Sequence, residues 1–349
     1  MTIEAALEGA HDNVKVLEAL KIFNEGRNGG IHARHRLEEA MSTSDFHTRL
    51  MDGFKIGAVE LMKSATREWE PIAAKALVPD FRKVRMRDFF GGLTLQLVPE
   101  GSEYPLETLE ETSLEIGVSK YGSGVKFTYE MWKNRDFSSL VNIPQLFANA
   151  AIDAENRNVF GLLLNAQGTP SSFFKGPGAG TGALNAETLE AAYVAQTQRK
   201  RLDKKSAVDL TDLYLVVPAG LALTAERLVN AERVERTVGD LKTTEANPFR
   251  GRIKILVSQT LTDLGAIAGT WFLLPGAQSK NPALGIAFLN GGEAPDMRVL
   301  NNQGQNLSGG QVIFEEGSFL DDTIHYRVRH VTGSALLMDS AAYGSTGAA

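Results

Sequence analysis

The chain has 349 residues, 36 Lys plus Arg against 42 Asp plus Glu, a formal net charge of −6 and no cysteine. A composition 43% hydrophobic and 22% charged is that of a folded protein, and it excludes disordered and fibrous classes. Without cysteine there is no disulfide scaffold, thiol nucleophile, iron–sulfur cluster or thiolate zinc site, which suits a reducing cytoplasm. The length suggests two domains, or one large domain with insertions. The N-terminus MTIEAALEGAHDNVKVLEAL carries acids where a signal peptide would be basic, and no apolar run approaches the ~20 residues of a membrane helix. Mild acidity argues against a nonspecific grip on nucleic acid.

Residues 1–42 read as helical, because Ile3, Leu7, Ala10, Val14, Leu17 and Leu20 recur at three- and four-residue steps. The pattern breaks from Gly26 to Gly30, resumes over Ala33–Met41, and Ser42 to Asp45 offers caps for a third helix from Phe46 to about Ala76. From residue 81 the period falls to two. Thr94–Val98, Ile116–Val118 and the alternating Val125, Phe127 and Tyr129 make Arg82–Glu130 a long hairpin. Between positions 100 and 115 stand Glu100, Glu103, Glu107, Glu110, Glu111 and Glu115 with no Lys or Arg, while Arg82, Lys83, Arg85 and Arg87 cluster just before. Such a tip cannot be buried in its own domain without partners for its carboxylates, so the hairpin is expected to project.

A long helix follows from Ile143 to Ala166, then a glycine-rich surface loop at 176–182 and a helix over about Ala186–Leu202 that ends on Arg199, Lys200 and Arg201. Short strands at Leu213–Val217, Ile253–Val257, Trp271–Leu274 and Ile286–Leu289 surround a helix at Leu221–Ala231. Gln311–Glu315 and Thr323–His330 are the closing strands, and the small-residue tail from Ala341 is expected to fray. No repeat of fixed period is present.

Chemical motifs are few. The glycines at 176–182 lack the Lys-Ser or Lys-Thr of a phosphate loop and follow a helix rather than a strand. His32 and His35 are three apart, with His11 and His47 elsewhere, but a catalytic zinc needs three ligands and no HExxH exists; His325 and His330 fall on opposite faces of their strand. No GxSxG elbow is found, and Gly122-Ser123-Gly124 lacks its outer pattern. The Glu run lacks the aromatic surroundings of a glycosidase carboxylate pair. The basic runs 82–87 and 199–205 lack interleaved aromatics or a known nucleic-acid motif, so they read as solvated faces or salt-bridge donors. No catalytic constellation, metal site or cofactor site emerges.

Several stretches, in order, carry a resemblance: Thr43-Ser44-Asp45-Phe46, Val78-Pro79-Asp80-Phe81-Arg82, Glu100-Gly101-Ser102-Glu103-Tyr104-Pro105, Lys120-Tyr121-Gly122, Phe127-Thr128-Tyr129-Glu130, Asn134-Arg135-Asp136, Leu215-Val216-Val217-Pro218, Asn247-Pro248-Phe249-Arg250-Gly251 and Asp322 through His330. Over residues 43–340 the chain resembles the major capsid proteins of tailed bacteriophages with the Hong Kong 97-type fold, in the branch of the Mu-type major head subunit.

The resemblance implies an α+β fold with an N-terminal helical extension at 1–42, an N-arm at 43–81 and an extended loop at 82–128. A discontinuous peripheral domain would take 129–211 and 309–349, with a spine helix at about 140–168, and an axial domain 212–308. It implies no enzymatic activity and no cofactor. The partners would be further copies of the chain, as pentamers and hexamers of an icosahedral shell, with scaffold, portal and cement proteins beside them. Double-stranded DNA would be enclosed and touched nonspecifically, with no membrane contact. The place would be the virion capsid, assembled in the bacterial host cytoplasm. An encapsulin-like compartment of the same fold is the alternative. Inter-subunit assembly falls to the extended loop and its base: Arg82, Lys83, Arg85, Arg87, Glu100, Glu103, Tyr104, Glu107, Glu110 and Glu111. Some relatives crosslink a loop Lys to a neighbouring Asn, but residues 88–119 hold no Lys, so no such crosslink is expected.

Overall fold

The computed structural model describes residues 65–89, 111–133, 143–200, 207–238, 241–290, 293–300 and 318–348, with single positions between 18 and 62. The chain forms two compact units, one of Met1–Thr66, Lys120–Ala154 and Gly291–Val331, the other of Arg67–Ser119, Glu155–Asn290 and Thr332–Ala349. The expected strands 94–98 and 311–315, and most of residues 1–61, lie outside the described residues.

The larger unit is organised by an inner sheet. Strand β6 (Leu213–Pro218) pairs parallel with β9 (Ile253–Ser258) and antiparallel with β10 (Trp271–Pro275); β10 pairs with β14 (Tyr343–Ser345), and β14 with the short β5 (Ala179–Gly180). The run Trp-Phe-Leu-Leu-Pro of β10 is buried throughout because both faces of the sheet are covered. Phe272, Leu274 and Val216 join one core with Trp69, Phe160, Leu163 and Phe288. Trp271, Leu273, Leu213, Leu215 and Val217 join the other with Leu189, Ala192, Ala225 and Val229.

Leu189 and Ala192 come from helix α3 (Ala186–Thr197), opened by a capping box between Asn185 and Thr188. It stops at Thr197, short of the expected Leu202. Arg199 lies beyond it and turns back to donate to the Ala342 carbonyl at 2.9 Å. Burial pushes its pKa down, opposed by Asp339. The glycine-rich segment and the C-terminal tail also depart from expectation. Residues 179–180 and 343–345 are paired strands, and Gly180 is needed because a Cβ there would meet the Tyr343 hydroxyl. The buried Gln196 amide holds this seam by donating to the Leu273 and Ala341 carbonyls at 3.1 and 2.7 Å.

Strand β1 (Ala73–Val78) pairs parallel with β11 (Leu284–Leu289) and corrects the helix expected to run to Ala76. A parallel partner 211 positions along the chain overrides the helical spacing of that short stretch. Helix α2 (Ile143–Gly161), which follows the short α1 (Tyr129–Lys133), ends five residues before the expected Ala166. Its buried positions recur as neighbouring pairs, Phe147 and Ala148, Ala151 and Ile152, Glu155 and Asn156, Val159 and Phe160. That spacing lays one continuous stripe along the helix, and Leu146, expected on an apolar side, is exposed.

In the smaller unit, β4 (Ser119–Thr128) and β12 (Asp296–Leu300) both pair with β13 (Thr323–Leu336); the last residues of β13, Thr332–Leu336, belong to the larger unit and pair there with β11. The expected single hairpin Arg82–Glu130 is therefore two structures. Strands β2 (Val84–Phe89) and β3 (Glu111–Ile116) pair with each other, and β4 leaves them for β13. A second hairpin, β7 (Arg233–Val238) with β8 (Leu241–Ala246), was not anticipated; buried Asn247 anchors its base by donating to the carbonyls of Leu228, Val229 and Ala231.

Candidate assembly surfaces

The first surface is the β2–β3 hairpin. Its register sets Val84 opposite Ile116, Arg85 opposite Glu115, Arg87 opposite Ser113 and Phe89 opposite Glu111. One limb is thus basic and the other acidic. Lys83 Nζ lies 3.8 Å from Glu115, and Arg82, with its side chain 91% exposed, lies 3.9 Å from Asp80. Ile116 and Val118 are buried, which plants the hairpin base in the larger unit. Gly333 makes that possible, since a Cβ there would stand 2.0 Å from the Gly117 carbonyl oxygen. Glu100, Glu103, Tyr104, Glu107 and Glu110 lie outside the described residues. In the sequence, no residue from 88 to 99 is basic.

The second surface belongs to the smaller unit and was not found from the sequence. Strand β13 alternates as expected: Ile324, Tyr326, Val328 and His330 are buried, while His325, Arg327 and Arg329 are not. Tyr326 packs edge-on to Phe127 with ring centroids 5.7 Å apart, and burial pushes its phenol pKa far up. Against the open face, β12 places Arg298 directly opposite Arg327 and Asp296 opposite Arg329. The strands border a cleft of about 560 Å³ lined by Lys126, Arg298, His325 and Arg327 together with Val125, Val299 and Leu300.

Acids meet most of these cations. Asp296 accepts from Arg298 at 3.0 Å and from Arg329 at 2.5 Å. Asp321 accepts from Thr323 at 2.7 Å and lies 3.4 Å from Lys126 and 3.8 Å from His325. The Thr323 hydroxyl, helped by Lys126, holds the Asp321 carboxyl below the usual carboxylate range. Arg327 is the exception, with no carboxylate partner among the described residues. The signal available in the sequence was the alternation His-Tyr-Arg-Val-Arg-His, but strands far apart in the chain had to be brought beside it.

Among the described residues no group of three or more acids or histidines is placed to hold a metal ion, and no helix is long and apolar enough to cross a membrane. Of the histidine pair at 32 and 35, His35 lies outside the described residues.

A family model described as phage capsid protein matches residues 111–344, more than half of the chain. The capsid of an empty GTA particle is similar in structure, with a TM-score of 0.50 at 13% identity over 82% of this chain and 91% of that one. The head structure of Helicobacter pylori bacteriophage KHP40 has a TM-score of 0.49 at 11% identity, covering 78% and 85%. An encapsulin complex from Synechococcus elongatus has 0.46 at 9%, covering 82% and 89%. No curated protein matches the chain in sequence. The family match and the fold agree, and the chain belongs to the phage capsid proteins, with the Hong Kong 97-type fold of a structural shell subunit.

Proposed function

We propose that the chain is the major subunit of an icosahedral phage shell, assembled in the host cytoplasm from pentamers and hexamers and enclosing double-stranded DNA, with no enzymatic activity. The observation that carries this reading is the family match over residues 111–344. The hairpin supports it: a two-stranded ribbon is marginal by itself and gains stability when a neighbouring subunit covers it. A head-to-tail contact repeated about an axis closes a ring. Many such modest contacts then add up to a durable shell.

In this reading 82–128 is the extended loop and 43–81 the N-arm, 129–211 with 309–349 form the peripheral domain, and 212–308 the axial domain. The branch is that of Mu-type major head subunits. The acidic segment from Glu100 to Glu111, with Arg82, Lys83, Arg85 and Arg87 at the base, forms the inter-subunit contact. Scaffold, portal and cement proteins complete the particle.

Electron microscopy of the purified chain tests this directly. Closed shells are expected, and particles recovered from phage-producing cells should protect double-stranded DNA from nuclease. A small soluble oligomer at all concentrations would overturn the shell reading, and shells that hold an enzyme in place of DNA would make the chain a compartment protein.

A further inference from the structure

The asparagines of the chain differ in what holds their carboxamides. Asn165 donates to Thr169 at 2.6 Å and accepts from the Gln167 and Thr169 amides, and Asn185 accepts from Thr188 as the cap of α3. Asn247 and Asn281 are buried, and a proline follows each of them. Asn290 is exposed, and its carboxamide makes no hydrogen bond among the described residues. Its backbone N–H donates to the Val78 carbonyl at 2.8 Å, just past the last β1–β11 pair, Val78 with Leu289, so the chain is anchored on the N-terminal side of this residue. On the C-terminal side the next residue is Gly291, and no other described asparagine is followed by glycine.

A backbone amide nitrogen can close on the carboxamide carbon of the asparagine before it. Glycine opposes this least, because it has no Cβ to crowd the approach and leaves the backbone free to turn. We propose that Asn290 is a site of spontaneous deamidation through a cyclic imide with Gly291. The Gly291 nitrogen attacks Cγ of Asn290 and a C–N bond forms; the bond from Cγ to Nδ2 breaks, and ammonia leaves with the proton of the Gly291 amide. Water then opens the imide at either carbonyl, giving aspartate or isoaspartate at 290, and nothing is oxidised or reduced. Either product adds one negative charge to a chain of net charge −6. Isoaspartate also routes the main chain through the former side chain, which adds a methylene where the chain passes from the larger unit to the smaller. The anchored N–H of residue 290 precedes that link, so the pairing of β1 with β11 is kept.

The purified full chain is incubated for days at neutral and at mildly alkaline pH and then cut with trypsin. The peptide 281–298 isolates the site, because Asn281 is followed by Pro282, which has no amide hydrogen to give up. Mass spectrometry should find the acid form at Asn290 accumulating at least ~10-fold faster than at Asn165 or Asn185. The rate should rise with pH, since the attacking nitrogen must lose its proton, and isoaspartyl methyltransferase should label the product. Gly291→Ala is expected to slow conversion at least ~10-fold, and Asn290→Gln to abolish it. A folded chain that stays amidated would overturn the proposal, and a synthetic 281–298 peptide run alongside shows whether the fold or the chemistry prevents the reaction. Equal rates in wild type and Gly291→Ala would also overturn it. So would a product that appears only after the circular dichroism of the folded chain is lost.

Discussion

Glu155 shows how a single side chain can fix a segment that the sequence pattern assigns to a helix and the structure does not. It is fully buried on α2, accepts from the Trp69 indole at 2.9 Å and lies 3.4 Å from Arg67 Nε; the Arg67 guanidinium in turn sits 5.7 Å above the Trp69 ring. Removing the carboxylate leaves a buried indole N–H and a largely buried guanidinium unpaired. Glu155→Ala is therefore expected to cost about 3–5 kcal/mol, read as a lower denaturant midpoint. Asp321 gives a different kind of test. Its carboxyl is held below the ordinary value of 3.8, first by the Thr323 hydroxyl, so it favours the folded state where it is ionised. The stabilisation is present above that ordinary value and is lost as the pH falls through the depressed one. Wild type should melt above Asp321→Asn at neutral pH, and the gap should close once the pH drops well below ~4; a gap that persists in acid would assign the effect to packing.

Elements were legible where burial on one or both faces forces a pattern. Strand β13 announced itself by alternation, and β6 and β10 by unbroken apolar runs, because each has faces with different neighbours. Strands β5 and β14 did not, since glycine, alanine and serine carry no period; their pairing depends on close backbone approach. Strand β1 was hidden for another reason: Ala73 to Val78 has helical spacing, and only β11 makes it a strand. The hairpin base was readable as strands, whereas its separation from β4 was not. The contact at Gly333 produces that separation, and Gly333→Ala should force the Gly117 carbonyl away, at a cost of ~1–3 kcal/mol in the unfolding free energy. Limited proteolysis should then cut faster between β3 and β4, and an unchanged rate would refute the link.

On the scale of the whole molecule, the net charge of −6 conceals a division of labour. Acid is concentrated between 100 and 115, while the cleft beside β13 keeps cations in excess. The acidic half was plain in the sequence as a contiguous run; the basic half was not, because Lys126, Arg298 and Arg327 come from three distant strands. Changing Glu103, Glu107 and Glu110 together to Lys should abolish or misdirect assembly and leave circular dichroism and the melting temperature within error of wild type. Normal shells from that variant would remove the acidic segment from the assembly contact. Exposed pairs screen readily, so shell formation should also weaken as ionic strength rises beyond ~0.15 M.

The two cores on either side of β6 and β10 each contain one tryptophan, Trp69 in the first and Trp271 in the second, both at 2% exposure or less. Each indole N–H has its own acceptor, Glu155 for one and the Gly182 carbonyl for the other. The subunit therefore carries a fluorophore on each side of its inner sheet. With Trp132, the third tryptophan of the chain, changed to Phe as well, replacing Trp69 or Trp271 in turn makes intrinsic emission a side-resolved record of unfolding, in which the order of loss of the two layers can be followed without an added label.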